Sequence, residues 1–208
     1  MNKISPKVIE WAREIQALAQ TGLTYAPNHY EIERNKRLLE IAAEMLTENS
    51  ELSREEVFDI FLRQQGYSTP KVDVRAAVVK DNKILLVKEI SDGRWSMPGG
   101  WADVGDMPAE AAEREAKEES GFDVKTKKVI GVFDANRSGR PMVFFHAVKI
   151  VYLCEIIGGT ETPSDETSDV KFFDFNNLPE LSQNRTNLKH IEEIKLHLQN
   201  PERKTFFE

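Results

Sequence analysis

The sequence predicts an α/β catalytic domain preceded by a small all-α segment, and three features predict it. Apolar residues recur at helical spacing through the first seventy residues, and β-type runs begin at Val72. From there strand-like runs alternate with two helix-like stretches, the order that gives a layered α/β domain. The change of character follows Gly66-Tyr67-Ser68-Thr69-Pro70, which gives a helical domain over 1–68 and a catalytic domain over 69–208.

The composition bounds what such a chain can do. With 208 residues, 40% of them hydrophobic, there is enough apolar material for one catalytic core and an added helical piece. A formal charge of −7 repels polyanions and argues against a general nucleic-acid binder. The single cysteine, Cys154, lies in the apolar run Ile150-Val151-Tyr152-Leu153 and reads as a buried strand position. The charged start (Lys3, Lys7, Glu10, Arg13) does not resemble a signal peptide, and no stretch is long enough to span a bilayer. A cytoplasmic protein with no membrane partner is therefore expected.

Taken in order, Val8, Trp11, Ala12, Ile15, Leu18 and Ala19 mark a first helix with Pro6 in its first turn. Breaks are expected at Thr21-Gly22 and near Pro27. A second helix is expected from about Tyr30 to Leu46, with Leu38, Leu39, Ile41, Ala42 and Met45 on its apolar side. Ser53-Arg54-Glu55-Glu56 has the form of a capping box and opens a third helix. Short helices with apolar stripes need a partner surface, so packing or dimerisation is expected of this segment. Met1–Pro70 holds 8 Lys/Arg against 11 Asp/Glu, which speaks against a DNA-reading helix-turn-helix.

Val72–Val79 and Ile84–Val87 read as strands joined at Asp81-Asn82, a hairpin signal. A glycine-rich turn precedes a helix of alanines and charges that ends at Gly121. Strands return at Val129–Phe133 and Phe144–Ile157, and a last helix is expected from about Arg185 to Leu198. Leu188, Ile191, Ile194 and Leu198 form its buried line.

The chemistry is concentrated between Gly99 and Phe122. Asp106 before Met107-Pro108 suits an N-cap, and Gly121 a left-handed C-cap. On the helix between them Glu115, Glu118 and Glu119 stand at i, i+3 and i+4 and share a face. Like charges there repel, and the last turns of a helix disfavour anions, so helix stability does not account for them. A solvated acidic face is the ordinary reading of such a run. The alternative is a hard divalent cation, since Mg²⁺ takes a few carboxylates, waters and phosphate oxygens. Gly99-Gly100 favours the second, because bare backbone can approach a metal or phosphate closely. Arg114 can pair with Glu118 at i+4 and fix its rotamer.

Gly100, Arg114-Glu115, Glu118-Glu119 and Gly121, with Ala116 and Phe122 at the apolar positions, resemble the Nudix box G-x5-E-x7-R-E-U-x-E-E-x-G-U, in which U is aliphatic. Asp106 stands where that family usually has glutamate. The resemblance implies a Nudix α/β/α sandwich with a mixed sheet, and Mg²⁺- or Mn²⁺-dependent hydrolysis of nucleoside diphosphates linked to another moiety. It implies that Glu115, Glu118 and Glu119 hold metal, with the carbonyl of Gly100 completing a site. Arg114 would orient the glutamates, and Glu166 in the loop 163–169 would serve as base or further ligand, with Asp165 as its near substitute.

Trp95, Trp101, Phe133 and Phe145 lie at strand ends or beside the box, where a ring could stack on a base, though burial in the core is the commoner fate of such residues. Arg137, Arg140 and Arg185 could meet a second phosphate. The expected substrate contacts are thus Trp95, Trp101, Arg137 and Arg185. Trp11–Tyr25, Tyr30–Arg34, Gly99–Gly105 and Asn184-Arg185-Thr186 are similar to a bacterial Nudix subgroup. That subgroup includes CDP-choline pyrophosphatases, some active on RNA ends, and ADP-ribose pyrophosphatases. It implies CDP-choline as first choice of substrate, with ADP-ribose, RNA ends and nucleoside triphosphates as alternatives, and a homodimer formed through the N-terminal helices. A non-catalytic nucleotide-sensing regulator would show an eroded glutamate set and a basic recognition helix, and this sequence has neither.

Overall fold

The computed structural model describes residues 6–47, 53–64, 66–135 and 146–208. The chain divides into two compact units, Met1–Pro70 with Phe144–His146, and Lys71–Val143 with Ala147–Glu208.

In the first unit, helices α1 (Pro6–Tyr25), α2 (His29–Thr47) and α3 (Arg54–Leu62) close around Ala19, Leu39, Ala42, Ala43, Val57 and Phe61. The capping box at Ser53 is formed: its hydroxyl accepts from the Glu56 N–H, and the Glu56 carboxylate accepts from the Ser53 N–H at 2.7 Å. The break expected at Thr21-Gly22 is absent, and α1 continues to Tyr25. Gly22 has a packing role instead. A Cβ there would lie 2.2 Å from Oδ1 of Asn35, whose amide is held by the Glu31 carbonyl at 2.8 Å.

The second unit is built on a seven-stranded mixed sheet. Its strands are β1 (Lys71–Lys80), β2 (Lys83–Glu89), β3 (Trp95–Ser96), β4 (Phe122–Asp134), β5 (Ala147–Gly159), β6 (Thr167–Asp174) and β7 (Phe206–Phe207). The order is β3-β2-β1-β5-β4-β7, with β6 also paired to β2. β1 pairs with β5, and β4 with β7, in parallel; the other pairs are antiparallel. Asp81 and Asn82 take φ of 50° and 58°, so the predicted hairpin turn has the positive-φ pair that matches strand twist.

Strand alternation sends side chains to two covered faces. Val74, Ala76, Val78, Leu85 and Val87 meet Ala111, Ala112 and Ala116 of α4 (Pro108–Ser120). Ala77, Ile84, Leu86, Ile130 and Phe133 meet Ile191 and Ile194 of α5 (Leu188–Gln199). This is the α/β/α layering expected. Cys154 is buried on the α4 face, where burial pushes its thiol up to about 12, so it is inert core. α5 begins three residues later than expected because Asn187 caps it, accepting from the Lys189 and His190 N–H groups. Leu188 is correspondingly exposed, and the buried face is His190, Ile191, Ile194 and His197.

Candidate active site

α4 starts one residue later than its sequence suggests: Met107 occupies the N-cap and makes no side-chain cap bond. Asp106 is occupied elsewhere. Its Oδ2 accepts from the Asp103 N–H at 3.1 Å and from Nη2 of Arg114 at 3.0 Å. Nη1 of Arg114 donates to Glu115 at 2.8 Å and Glu118 at 3.3 Å, so one guanidinium holds three carboxylates. The expected i+4 pairing of Arg114 with Glu118 is present, and the aspartate at position 106 has a defined partner. Gly121 ends the helix in the left-handed conformation at φ 78°.

The turn Pro98–Gly100 is laid along β1, with the carbonyls of Pro98 and Gly100 accepting from the Ala76 and Val74 N–H groups. One lone pair of the Gly100 carbonyl is therefore committed to the sheet. Gly99, at φ 145°, would place a Cβ 2.0 Å from the Val74 carbonyl oxygen, so only glycine fits. A Cβ on Gly100 would lie 2.9 Å from Oε2 of Glu115. The Gly99 N–H donates to Oε2 of Glu119 at 2.9 Å. Bare backbone thus faces the carboxylates of α4, which is the juxtaposition the glycine pair implied.

The three glutamates are not equivalent. The Glu115 and Glu118 side chains are 14% and 58% exposed, while Glu119 is buried. Burial raises the Glu115 carboxyl against the pull of Arg114. Burial pushes Glu119 up to about 7, opposed by Arg75 and the Gly99 N–H, with Glu89 and Glu115 adding repulsion. Among the described residues no three acidic, histidine or cysteine side chains converge as a ready cage for a metal ion. Arg114 lies between Glu115 and Glu118, so the shared helix face does not by itself bring all three to one point. The donor set suits Mg²⁺ or Mn²⁺ nonetheless, because Mg²⁺ is ordinarily held by one or two carboxylates, with waters and substrate phosphates completing its shell.

The other expected residues fall unevenly. Glu166 is exposed, and its carbonyl accepts from the Ile90 N–H. Its loop is tied to the helix end by Thr167, whose hydroxyl donates to the Glu119 carbonyl at 2.8 Å. An open hollow of about 640 Å³ there is lined by Lys117, Glu118, Thr162, Ser164 and Asp165 but not by Glu166. Trp101 is 45% exposed beside the box and is bridged to Asp73. Trp95 packs in the α5-side cluster, edge-on to Phe173 at 4.7 Å with Lys171 over its ring. Its half-buried ring packs against the core cluster, and Phe133 is buried within that cluster. Arg137, Arg140 and Phe145 lie outside the described residues. Arg185, expected at the start of the last helix, is in a loop and pairs with buried Glu89 at 3.2 Å.

Among the described residues, several buried charged groups are not apparent from the sequence, and Asp73, Arg75, Glu89 and Lys149 are four of them. Arg75 donates to both oxygens of Asp73 at 2.9 Å and to the Met97 carbonyl at 3.2 Å. Glu89 accepts from the Ser96 hydroxyl at 2.5 Å. In Val72-Asp73-Val74-Arg75 the alternation looks like a polar face turned to water. The signal available was the opposite charge at i and i+2 on one strand face, in a strand whose two faces are both covered.

Fold and site together define a hydrolase of phosphoanhydrides, and comparison with known proteins gives its family: the chain belongs to the Nudix hydrolases. The NUDIX domain model matches residues 69–194, and a model described as the UDP-X-like, N-terminal oligomerisation domain matches residues 6–61. YjhB of Bacillus subtilis (strain 168), provisionally named an ADP-ribose pyrophosphatase, is 37% identical over 208 residues, covering 100% of both chains. A solved UDP-X diphosphatase is 32% identical with a TM-score of 0.63, over 97% of this chain and 98% of that one. A solved ADP-ribose pyrophosphatase from Streptococcus suis 89-1591 is 34% identical with a TM-score of 0.62, over 67% of this chain and 100% of that one.

Proposed function

We propose that this Nudix hydrolase cleaves the diphosphate of ADP-ribose, or of a close analogue in which a nucleoside diphosphate carries a sugar, using a divalent cation held against the end of α4. The observation that carries the reaction class is the set of α4 carboxylates against the bare Gly99–Gly100 backbone. Mg²⁺ or Mn²⁺ supplies neutralisation of the diphosphate and a more acidic bound water. Glu115, Glu118 and Glu119 would hold it. Arg114 keeps Glu115 and Glu118 in place, and the Gly99 N–H fixes Glu119. Glu166, in the loop tied to the end of α4 through Thr167, would take a proton from water, with Asp165, which lines the hollow beside Glu118, as the alternative.

The substrate class rests on the names of the relatives. ADP-ribose or UDP-linked compounds appear in those names, and CDP-choline does not. Assembly through the N-terminal helices is supported by the oligomerisation description of residues 6–61. Among the described residues no helix is long and apolar enough to cross a membrane. The test is turnover of ADP-ribose, UDP-sugars, CDP-choline, nucleoside triphosphates and triphosphorylated or capped RNA with Mg²⁺ or Mn²⁺. ADP-ribose should give AMP and ribose 5-phosphate fastest. A preference for CDP-choline would replace the substrate, and no turnover of any compound would refute the hydrolytic reading.

A further inference from the structure

We propose that Lys149 is a positioning residue: from the middle of the sheet it braces the Ser182–Thr186 loop, and thereby presets Arg185 as a cation for the anionic part of the substrate. The presetting half rests on the hydrolase reading above; the bracing half does not.

Lys149 lies in β5 opposite Asp73 in the register and is 1% exposed. Its ammonium donates to the carbonyls of Asn184 at 2.9 Å and Arg185 at 2.5 Å, and stands 3.8 Å from Oδ1 of Asp73. A buried ammonium is costly, and packing alone does not select one. Here burial, with Arg75 and Arg185 nearby, brings Lys149 down to about 7, and Asp73 opposes that. Two consecutive carbonyls of an irregular segment need donors, and this side chain supplies both.

The loop it holds is tethered along nearly its whole length. Ser182 donates through its N–H to the Trp95 carbonyl at 2.8 Å and through its hydroxyl to Asp92 at 2.7 Å. The Thr186 hydroxyl accepts from the Met97 N–H at 2.8 Å. The Met97 carbonyl accepts from Arg75, which returns to Asp73. Loop, Met97 and sheet centre form one closed ring of bonds. Two residues beyond Met97 stands Gly99, whose N–H holds Glu119.

Gln183 and Asn184 of this loop are exposed and uncharged, and Arg185 is its one cation. It is 35% exposed, with Nε 3.2 Å from Glu89 and Nη1 3.8 Å from Asp92. Lys149 fixes the backbone at Arg185, and Glu89 fixes the start of its guanidinium. A cation held in advance loses little entropy on meeting a phosphate or phosphosugar.

Hydrogen exchange on the full-length Lys149→Met protein reads the bracing without any substrate. The amides of Met97, Arg185 and Thr186 should exchange about tenfold faster than in wild type, while those of α4 and α5 stay unchanged. Equal protection in the loop would overturn the bracing. For the presetting, Lys149→Met, Arg185→Ala and the double variant are compared on ADP-ribose with Mn²⁺. Each single change should raise KM about tenfold with a smaller effect on kcat, and the double variant should be no worse than the worse single one. Additive losses, or unchanged KM in Lys149→Met, would overturn it. If wild type hydrolyses no ADP-ribose, the substrate reading fails, and exchange still decides the bracing. Should Lys149→Met not fold, Lys149→Gln is read in the same way. Failure of both while Arg185→Ala folds would also overturn the idea, since the lysine would then serve the sheet and not the loop.

Discussion

The backbone N–H of Gly99 donates a 2.9 Å hydrogen bond to Oε2 of Glu119, joining the turn after β3 to the last turn of α4. That bond fixes one oxygen of a carboxylate that burial has pushed up to about 7. The group is buried, oriented and costly to ionise alone, which supports its proposed part as a metal ligand.

Because the Glu119 carboxyl in the folded chain lies above its ordinary value of 4.5, its contribution is fully present below about pH 4.5 and is lost as pH rises through about 7. The stability advantage of the metal-free wild type over Glu119→Gln should shrink across that window, by an amount on the order of 2–3 kcal/mol. Urea unfolding at a series of pH values in EDTA reads it. An advantage that grows with pH would show that Glu119 is stabilised as the anion without metal.

The triple pairing of Arg114 separates it from an ordinary surface arginine. Arg114→Lys should reduce kcat/KM about tenfold or more, because one ammonium cannot reach Asp106, Glu115 and Glu118 together. Asp106→Glu should retain activity, since it keeps the acceptor for Nη2 with a longer reach. Steady-state kinetics on one substrate compare both variants, and full activity in Arg114→Lys would remove the orienting role.

The two glycines of the turn should fail in different ways. Gly99→Ala meets the Val74 carbonyl oxygen at 2.0 Å in a positive-φ conformation, so it should lower thermal stability by several degrees. Gly100→Ala meets only the Glu115 carboxylate, so it should fold and lose activity. Thermal melts paired with activity assays distinguish them. A stable, active Gly99→Ala protein would contradict the geometry.

Within α1, Gly22→Ala should destabilise the chain by about 1–2 kcal/mol despite the better helix propensity of alanine, because the new methyl meets Asn35. In an Asn35→Ala background the same change should be neutral or stabilising. Denaturant melts of the four proteins give the coupling.

Where local rules act alone, the sequence was readable. The Ser53 capping box, the Asp81-Asn82 turn, the Gly121 C-cap and the acidic end of α4 each follow from residues within a few positions of one another. Tertiary partners decided the rest. Gly22 reads as a helix break until Asn35 is seen above it, and Asp106 reads as an N-cap until Arg114 reaches back eight residues to claim it. Trp95 at a strand end gains Phe173 and Lys171 as ring neighbours only through the pairing of β6 with β2. Asp73 and Arg75 pair at i and i+2 of one strand, but Glu89 and Lys149 find their partners only across strands and in the Ser182–Thr186 loop, which no local pattern announces.

The most direct test of the central claim is Mn²⁺-dependent release of AMP from ADP-ribose by wild type and by Glu118→Gln and Glu119→Gln, with folding checked by thermal melts. The expected result is turnover by wild type that EDTA abolishes, and a loss of about a hundredfold or more in each folded variant. Turnover that survives EDTA, or that matches wild type in both variants, would contradict the assignment of the metal to the carboxylates of α4.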